Sequence, residues 1–148
     1  MKLFFDTCTL VDYLCSRQNA SRVEAILNAT EKNGWERYIS VGSFYTLTYL
    51  IEIHLKHNGF EDKTLRIEKL RGILTSILDT FSIADLSADN LSEAVEDPNF
   101  TDLEDSYQFR AAVNARCDYL ITTNINDFKE SDTTEIKILT PTDFTALI

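Results

Sequence analysis

The sequence predicts an α/β domain in which a mostly parallel sheet of about five strands is flanked by helices. Short apolar runs, lacking the polar alternation of a half-exposed strand, take turns along the chain with longer segments of helical periodicity. No linker, repeat or low-complexity stretch divides the 148 residues, a length that one hydrophobic core can organise. Only four Gly and two Pro interrupt a composition that is 44% hydrophobic and 26% charged, which excludes disordered and fibrous classes. Residues 1–148 therefore read as one domain.

Taken in order, Leu3-Phe4-Phe5 is an apolar run that stops at Asp6 and reads as a buried first strand. Ser21-Arg22-Val23-Glu24 has capping-box spacing ahead of a helix that Gly34 is placed to close. Tyr38 to Val41 reads as the second strand. From Ser43 to Asn58 apolar residues recur at helical spacing and Gly59 follows, and Leu65 to Leu78 continues the helical pattern. Thr80 to Ala84 is the third strand, after which Ser87 is placed to cap a short helix that stops before Pro98. Thr101-Asp102-Leu103-Glu104 again has capping-box spacing and opens a helix leading to the fourth strand, Tyr119 to Thr122. Ile136 to Leu139 is the fifth strand, and Thr140-Pro141 joins an N-cap to proline at the first position of the last helix.

Several function classes drop out on composition. No stretch approaches the roughly 18 uninterrupted apolar residues of a membrane span, and the apolar start is too short for a secretory signal, so the expected address is cytoplasmic. Cys8, Cys15 and Cys117 are odd in number and form no C-x-x-C, so they read as buried apolar groups or free thiols; a metal, if bound, is bound by oxygen. With 14 basic and 24 acidic side chains the formal charge is −10, which repels nucleic acid at long range and argues against a non-specific binder. The ordinary reading of that surplus is a solvated surface; the sharper one is a cation or a basic protein partner.

In an open parallel sheet, ligands bind outside the carboxyl ends of the strands, and here those ends are acidic. Asp6 follows the first strand, Asn124 and Asp127 follow the fourth, and the Thr101 to Asp105 cluster opens the helix before it. Each has a plainer reading. Asp6 could hydrogen-bond a loop, Asn124 and Asp127 are common turn-formers, and Glu104 could reach back to complete the cap. Asp105 lies past the cap beside apolar positions, where an unpaired carboxylate is costly, so a ligand role is favoured. Oxygen donors converging without His or thiolate suit hard ions such as Mg²⁺ or Mn²⁺. His54 and His57 sit three apart on a polar helix stretch without a partner motif and read as surface or edge residues.

The order FDTCTLVDYL, ISVGSFYTLTYL, DLEDSYQFRAAVNARCDYLITTNINDF and ILTPTDF resembles the PIN domain, the nuclease fold that includes VapC-type toxins, over nearly the whole chain. It is similar to the bacterial branch that carries Asp-Phe-Glu-Asp at the start of a helix and Thr-Arg-Asn-x-x-Asp-Phe after the next strand. The resemblance implies a PIN-like three-layer fold and an endoribonuclease that depends on Mg²⁺ or Mn²⁺. It also implies the toxin of a toxin–antitoxin pair, with a homodimer as its assembly and a small antitoxin as its partner. On the matching positions Asp6 is the first metal-binding acid and Asp105 the second, with Glu104 beside it; Asn124 falls where many relatives have Asp, and Asp127 is the next acid of that loop. Asp6, Glu104, Asp105 and Asp127 are thus the expected catalytic set, and Asp6, Asp105, Asn124 and Asp127 the expected metal ligands.

Besides Asn124, two positions depart from the pattern: Thr46 stands where many toxins carry an acid, and Cys8 where an Asn is often found. The departures at Thr46 and Asn124 motivate a second reading, a catalytically degenerate PIN fold acting as a protein-binding module. The start FFDTCTLVD also superficially resembles a haloacid-dehalogenase-like phosphatase, with Cys8 where that class has its acid/base Asp. Arg17, Arg110 and Lys129 are the cations near these acids in sequence and the candidates for steering RNA, with surface solvation as the plainer role.

Overall fold

The structure is a computed structural model that describes residues 1–128 and 135–148. The chain begins with β1 (Lys2–Phe5), then passes through α1 (Thr7–Leu14) and α2 (Ala20–Asn33) to β2 (Glu36–Ser40). Next come α3 (Val41–His57) and α4 (Lys63–Thr80), then β3 (Ser82–Ala84), α5 (Ala88–Glu96) and α6 (Leu103–Asn114). β4 (Tyr119–Ile121), a 3₁₀ turn (Ile125–Phe128), β5 (Lys137–Leu139) and α7 (Pro141–Thr145) complete it.

The five strands form one sheet in the order β3-β2-β1-β4-β5, and every neighbouring pair is parallel. Side chains alternate across it. Leu3 and Phe5 point into a core closed by residues of α1, α2, α3, α4 and α7, among them Leu10, Ile26, Leu47, Ile77 and Phe144. Phe4 points into the opposite core with Phe100, Phe109, Ala112 and Leu120, where α5 and α6 lie. The result is three layers, helix–sheet–helix, as the sequence implied.

This strand order decides where a ligand can sit. β2 and β3 build out on one side of β1, and the chain then crosses back so that β4 and β5 build on the other. The reversal opens a crevice between β1 and β4 at their carboxyl ends, where Asp6 and Thr122 emerge.

Several boundaries differ from the sequence reading for local reasons. α1 was not anticipated: it is eight residues long and starts directly at the strand end, with no Gly or Pro to mark it. α2 is not opened by the Ser21 to Glu24 capping box; it starts at Ala20 with Asn19 as N-cap and no side-chain cap bond. Val41 opens α3 rather than ending β2, because Ser40 is the N-cap and its hydroxyl accepts from the Ser43 N–H at 2.8 Å. α4 runs to Thr80, which shortens β3 to three residues. Other signals held. Gly34 closes α2 at φ 65°, Ser87 caps α5 in a box completed by Asn90, and Thr140 caps α7 with Pro141 in its first turn.

Candidate active site

Asp6 leaves β1 in extended conformation (φ −67°, ψ 152°) and ends the strand at the start of α1, its N–H donating to the Ile121 carbonyl of β4. The side chain is 2% exposed. Its Oδ2 accepts from Thr122 Oγ1 at 2.7 Å and from Cys8 Sγ at 2.9 Å. Burial pushes its pKa up; the hydrogen bonds from Cys8 and Thr122 oppose that shift, and the charge of Asp127 adds to it. The Cys8 thiol, which itself accepts from Thr123 Oγ1 at 2.9 Å, is pushed to about 11, so at neutral pH it is a hydrogen-bond donor and not a thiolate. Replacing Thr122 by Val keeps the shape but removes a donor from a buried carboxylate. The expected cost is about 1–3 kcal/mol, read as a lower urea midpoint.

The start of α6 supplies two more acids. Asp102, not Thr101, is its N-cap: the carboxylate accepts from the Glu104 N–H at 2.9 Å. The Glu104 side chain does not reach back to the cap. It turns toward the sheet, where its Oε1 accepts from Gln108 Nε2 at 2.6 Å and from Thr7 Oγ1 at 3.2 Å. Burial of the carboxylate raises its pKa, with Asp6 and Asp102 adding to the rise against those hydrogen bonds.

Asp105 differs from both. It is 4% exposed, yet its carboxylate accepts no hydrogen bond from any described residue. Burial first, and then the charges of Asp6, Asp102, Glu104 and Asp127, push its pKa up to about 7. One carboxylate oxygen from each of Asp6, Glu104 and Asp105 lies within 4.8 Å of the other two. Three acids from the end of one strand and the start of one helix therefore share a single point above the crevice.

The loop after β4 carries the other two candidates. Asn124 is exposed, with its backbone N–H donating to Thr122 Oγ1 at 3.0 Å, and Asp127 is exposed in the 3₁₀ turn, its N–H donating to the Asn124 carbonyl. Asp127 lies outside the three-acid group, but its charge reaches both Asp6 and Asp105. Thr46 is exposed and lines a cleft of about 210 Å³ together with Leu91, Tyr107 and Glu104.

Of the three cations singled out, Arg110 is committed to α5 and the turn after it, 3.5 Å from Glu93 and 3.5 Å from Asp97. Arg17 is exposed, and Lys129 lies outside the described residues. The sequence reading missed the polar layer beneath the acids, made of Thr7, Ser40, Ser43 and Gln108. Gln108 was within reach, since it sits four residues after Glu104 on one helix and such pairs face each other.

The sequence matches the PIN domain model over residues 2–126. Comparison with curated proteins returns no match. Among solved structures, a chain of the crystal structure of VapBC2 from Rickettsia felis, bound to a DNA fragment from their promoter, superposes with a TM-score of 0.68 at 18% identity. The match covers 95% of this chain and 98% of that one.

Proposed function

The chain belongs to the PIN-domain family, and from that premise we propose that it is a Mg²⁺- or Mn²⁺-dependent endoribonuclease and the toxin of a toxin–antitoxin pair. The observation that carries the reading is Asp105, a residue only 4% exposed whose carboxylate accepts no hydrogen bond from any described residue and is held against two further acids. Left alone this arrangement is unfavourable, because desolvation and like charge both act against ionisation. A hard divalent cation resolves it and accepts an all-oxygen donor set, so the residues fit such an ion. Asp6, Glu104 and Asp105 would hold it, with Asp127 and Asn124 as further oxygen donors from the neighbouring loop.

When bound, the ion would lower the pKa of a water and offset charge developing on a phosphodiester. The chain's own contribution is placement. Thr122 and Cys8 hold Asp6 in one orientation, and the Asp102 cap fixes the first turn of α6, which brings an Asp105 oxygen within 4.8 Å of Asp6 and Glu104. Glu104 Oε1 is tied down by Gln108 and Thr7, which leaves its other oxygen to serve as the ligand. A cation would also reconcile a chain of formal charge −10 with an anionic substrate.

The structural relative, a VapBC2 assembly, supports an antitoxin partner, and the acidic crevice favours a basic segment inserted there. The same reading makes the chain a homodimer acting in the cytoplasm, in keeping with the finding that no helix among the described residues is long and apolar enough to cross a membrane.

The test is cleavage of single-stranded RNA by the purified chain. Cutting is expected with Mn²⁺ or Mg²⁺ and none with EDTA. Activity that survives EDTA would overturn the metal mechanism. Mn²⁺ binding without any cutting would favour the protein-binding module, and turnover of a generic aryl phosphate would favour the phosphatase.

A further inference from the structure

The geometry points to Gln108 as a positioning residue that sets Glu104 for the cation, an inference that rests on the metal centre proposed above. Gln108 is 2% exposed on the buried face of α6, which it shares with Asp105, Ser106, Phe109, Ala111 and Ala112, so its amide is a polar group cut off from water. Such a group persists only when its donors and acceptor are satisfied. Here they are. Nε2 donates to Glu104 Oε1 at 2.6 Å and to Thr7 Oγ1 at 3.1 Å, while Oε1 accepts from Ser43 Oγ at 3.0 Å.

These partners fix the amide's direction. Reversing it would set a carbonyl oxygen 2.6 Å from a carboxylate oxygen and point an N–H₂ at Ser43, so both Nε2 protons face the Glu104 side. Ser43 is itself placed by Ser40, the N-cap of α3, whose hydroxyl donates to Ser43 Oγ at 3.0 Å, and lies 2.7 Å from Thr7 Oγ1. The layer thus joins the first turns of α1 and α3 to α6, and its bonds converge on one oxygen of Glu104.

Glu104 is the member of the acid trio that needs this support. Asp6 and Asp105 are short side chains on buried backbone, whereas Glu104 is longer by a methylene and exposed. Untethered, it would swing into solvent, and its ordering would have to accompany cation binding. Outer partners of this kind typically alter metal affinity about 10- to 100-fold when removed.

The experiment is a double-mutant cycle on Mn²⁺ affinity, measured by EPR of free Mn²⁺ at a temperature where circular dichroism finds every variant folded. Gln108→Met, close in length but apolar, is expected to weaken Mn²⁺ binding about 10- to 100-fold in the wild-type background and to have no effect in a Glu104→Ala background. Ser43→Ala, which removes only the donor that orients the amide, is expected to give a smaller loss with the same dependence on Glu104, and it carries the test if Gln108→Met does not fold. Unchanged Mn²⁺ affinity with a lowered melting temperature would overturn the role and leave Gln108 a structural tie, as would equal losses in both backgrounds. A wild-type chain that takes up no Mn²⁺ would overturn the metal centre and this role with it. Normal wild-type binding with unaffected variants would overturn the role of Gln108 alone.

Discussion

Asp105→Asn is expected to stabilise the metal-free protein while lowering Mn²⁺-dependent RNA cleavage by more than about 100-fold, the upper range for loss of a mere outer-shell partner. The two effects share one cause. In the folded chain Asp105 holds its proton up to about 7, against 3.8 for an ordinary Asp, because it is buried without a donor and faced by Asp6, Asp102, Glu104 and Asp127. A folded-state pKa above the unfolded one makes stability fully present below the unfolded value. That stability is lost as pH rises through the folded one. The disadvantage of Asp105 therefore grows between about pH 4 and 7 and is complete above. Asparagine has nothing to ionise, so its urea midpoint in EDTA should exceed wild type at pH 8, by less at pH 5, and converge with it toward pH 4. A structural carboxylate predicts the reverse, a cost of about 1–3 kcal/mol on losing its accepted bonds, with cleavage retained. Equal midpoints at both pH values, or cleavage that survives, would remove Asp105 from the site.

What could be read in advance follows from which forces leave a trace in local sequence. The middle of the parallel sheet was legible because β1 and β4, buried on both faces, are apolar, as in Leu3-Phe4-Phe5, and because a polar residue follows each, Asp6 and Thr122. The acids were legible as strand-end and helix-start residues, and their meeting follows from the strand order once β4 pairs with β1. Two things were not. Capping spacing cannot tell which of two neighbouring oxygen-bearing residues is the cap: Thr101 and Asp102 both qualify, and the choice of Asp102 is what frees Glu104 to turn inward. Burial of polar groups is also invisible in composition. Thr7, Ser40 and Ser43 look like ordinary loop and helix-start residues until the first turn of α1, an unmarked helix, meets that of α3 beneath the acids.

Mn²⁺ affinity is expected to fall about tenfold for each pH unit below 7, or about 100-fold between pH 7 and pH 5, because the cation must displace the proton that Asp105 holds up to about 7. An acid with the ordinary value of 3.8 would give a flat profile over that interval, since it is ionised throughout. Asp6 and Glu104 are also shifted upward by burial, so any proton they retain steepens the slope further. Titration calorimetry at pH 5, 6, 7 and 8, in two buffers of different ionisation enthalpy, gives both the affinity and the number of protons released. Release should approach zero at pH 8, where Asp105 is already ionised, and be at least one at pH 5. Because binding to the folded state alone stabilises it in proportion to the logarithm of ligand concentration over Kd, one fixed concentration of Mn²⁺ should raise the melting temperature strongly at pH 8 and little at pH 5. The same titration on Asp105→Asn separates the contributions: its residual slope belongs to Asp6 and Glu104, and the difference from wild type belongs to Asp105. A wild-type affinity that stays flat from pH 5 to pH 8 would mean that the cation meets acids already ionised, and the crowding of three carboxylates at this strand end would then have no part in binding it.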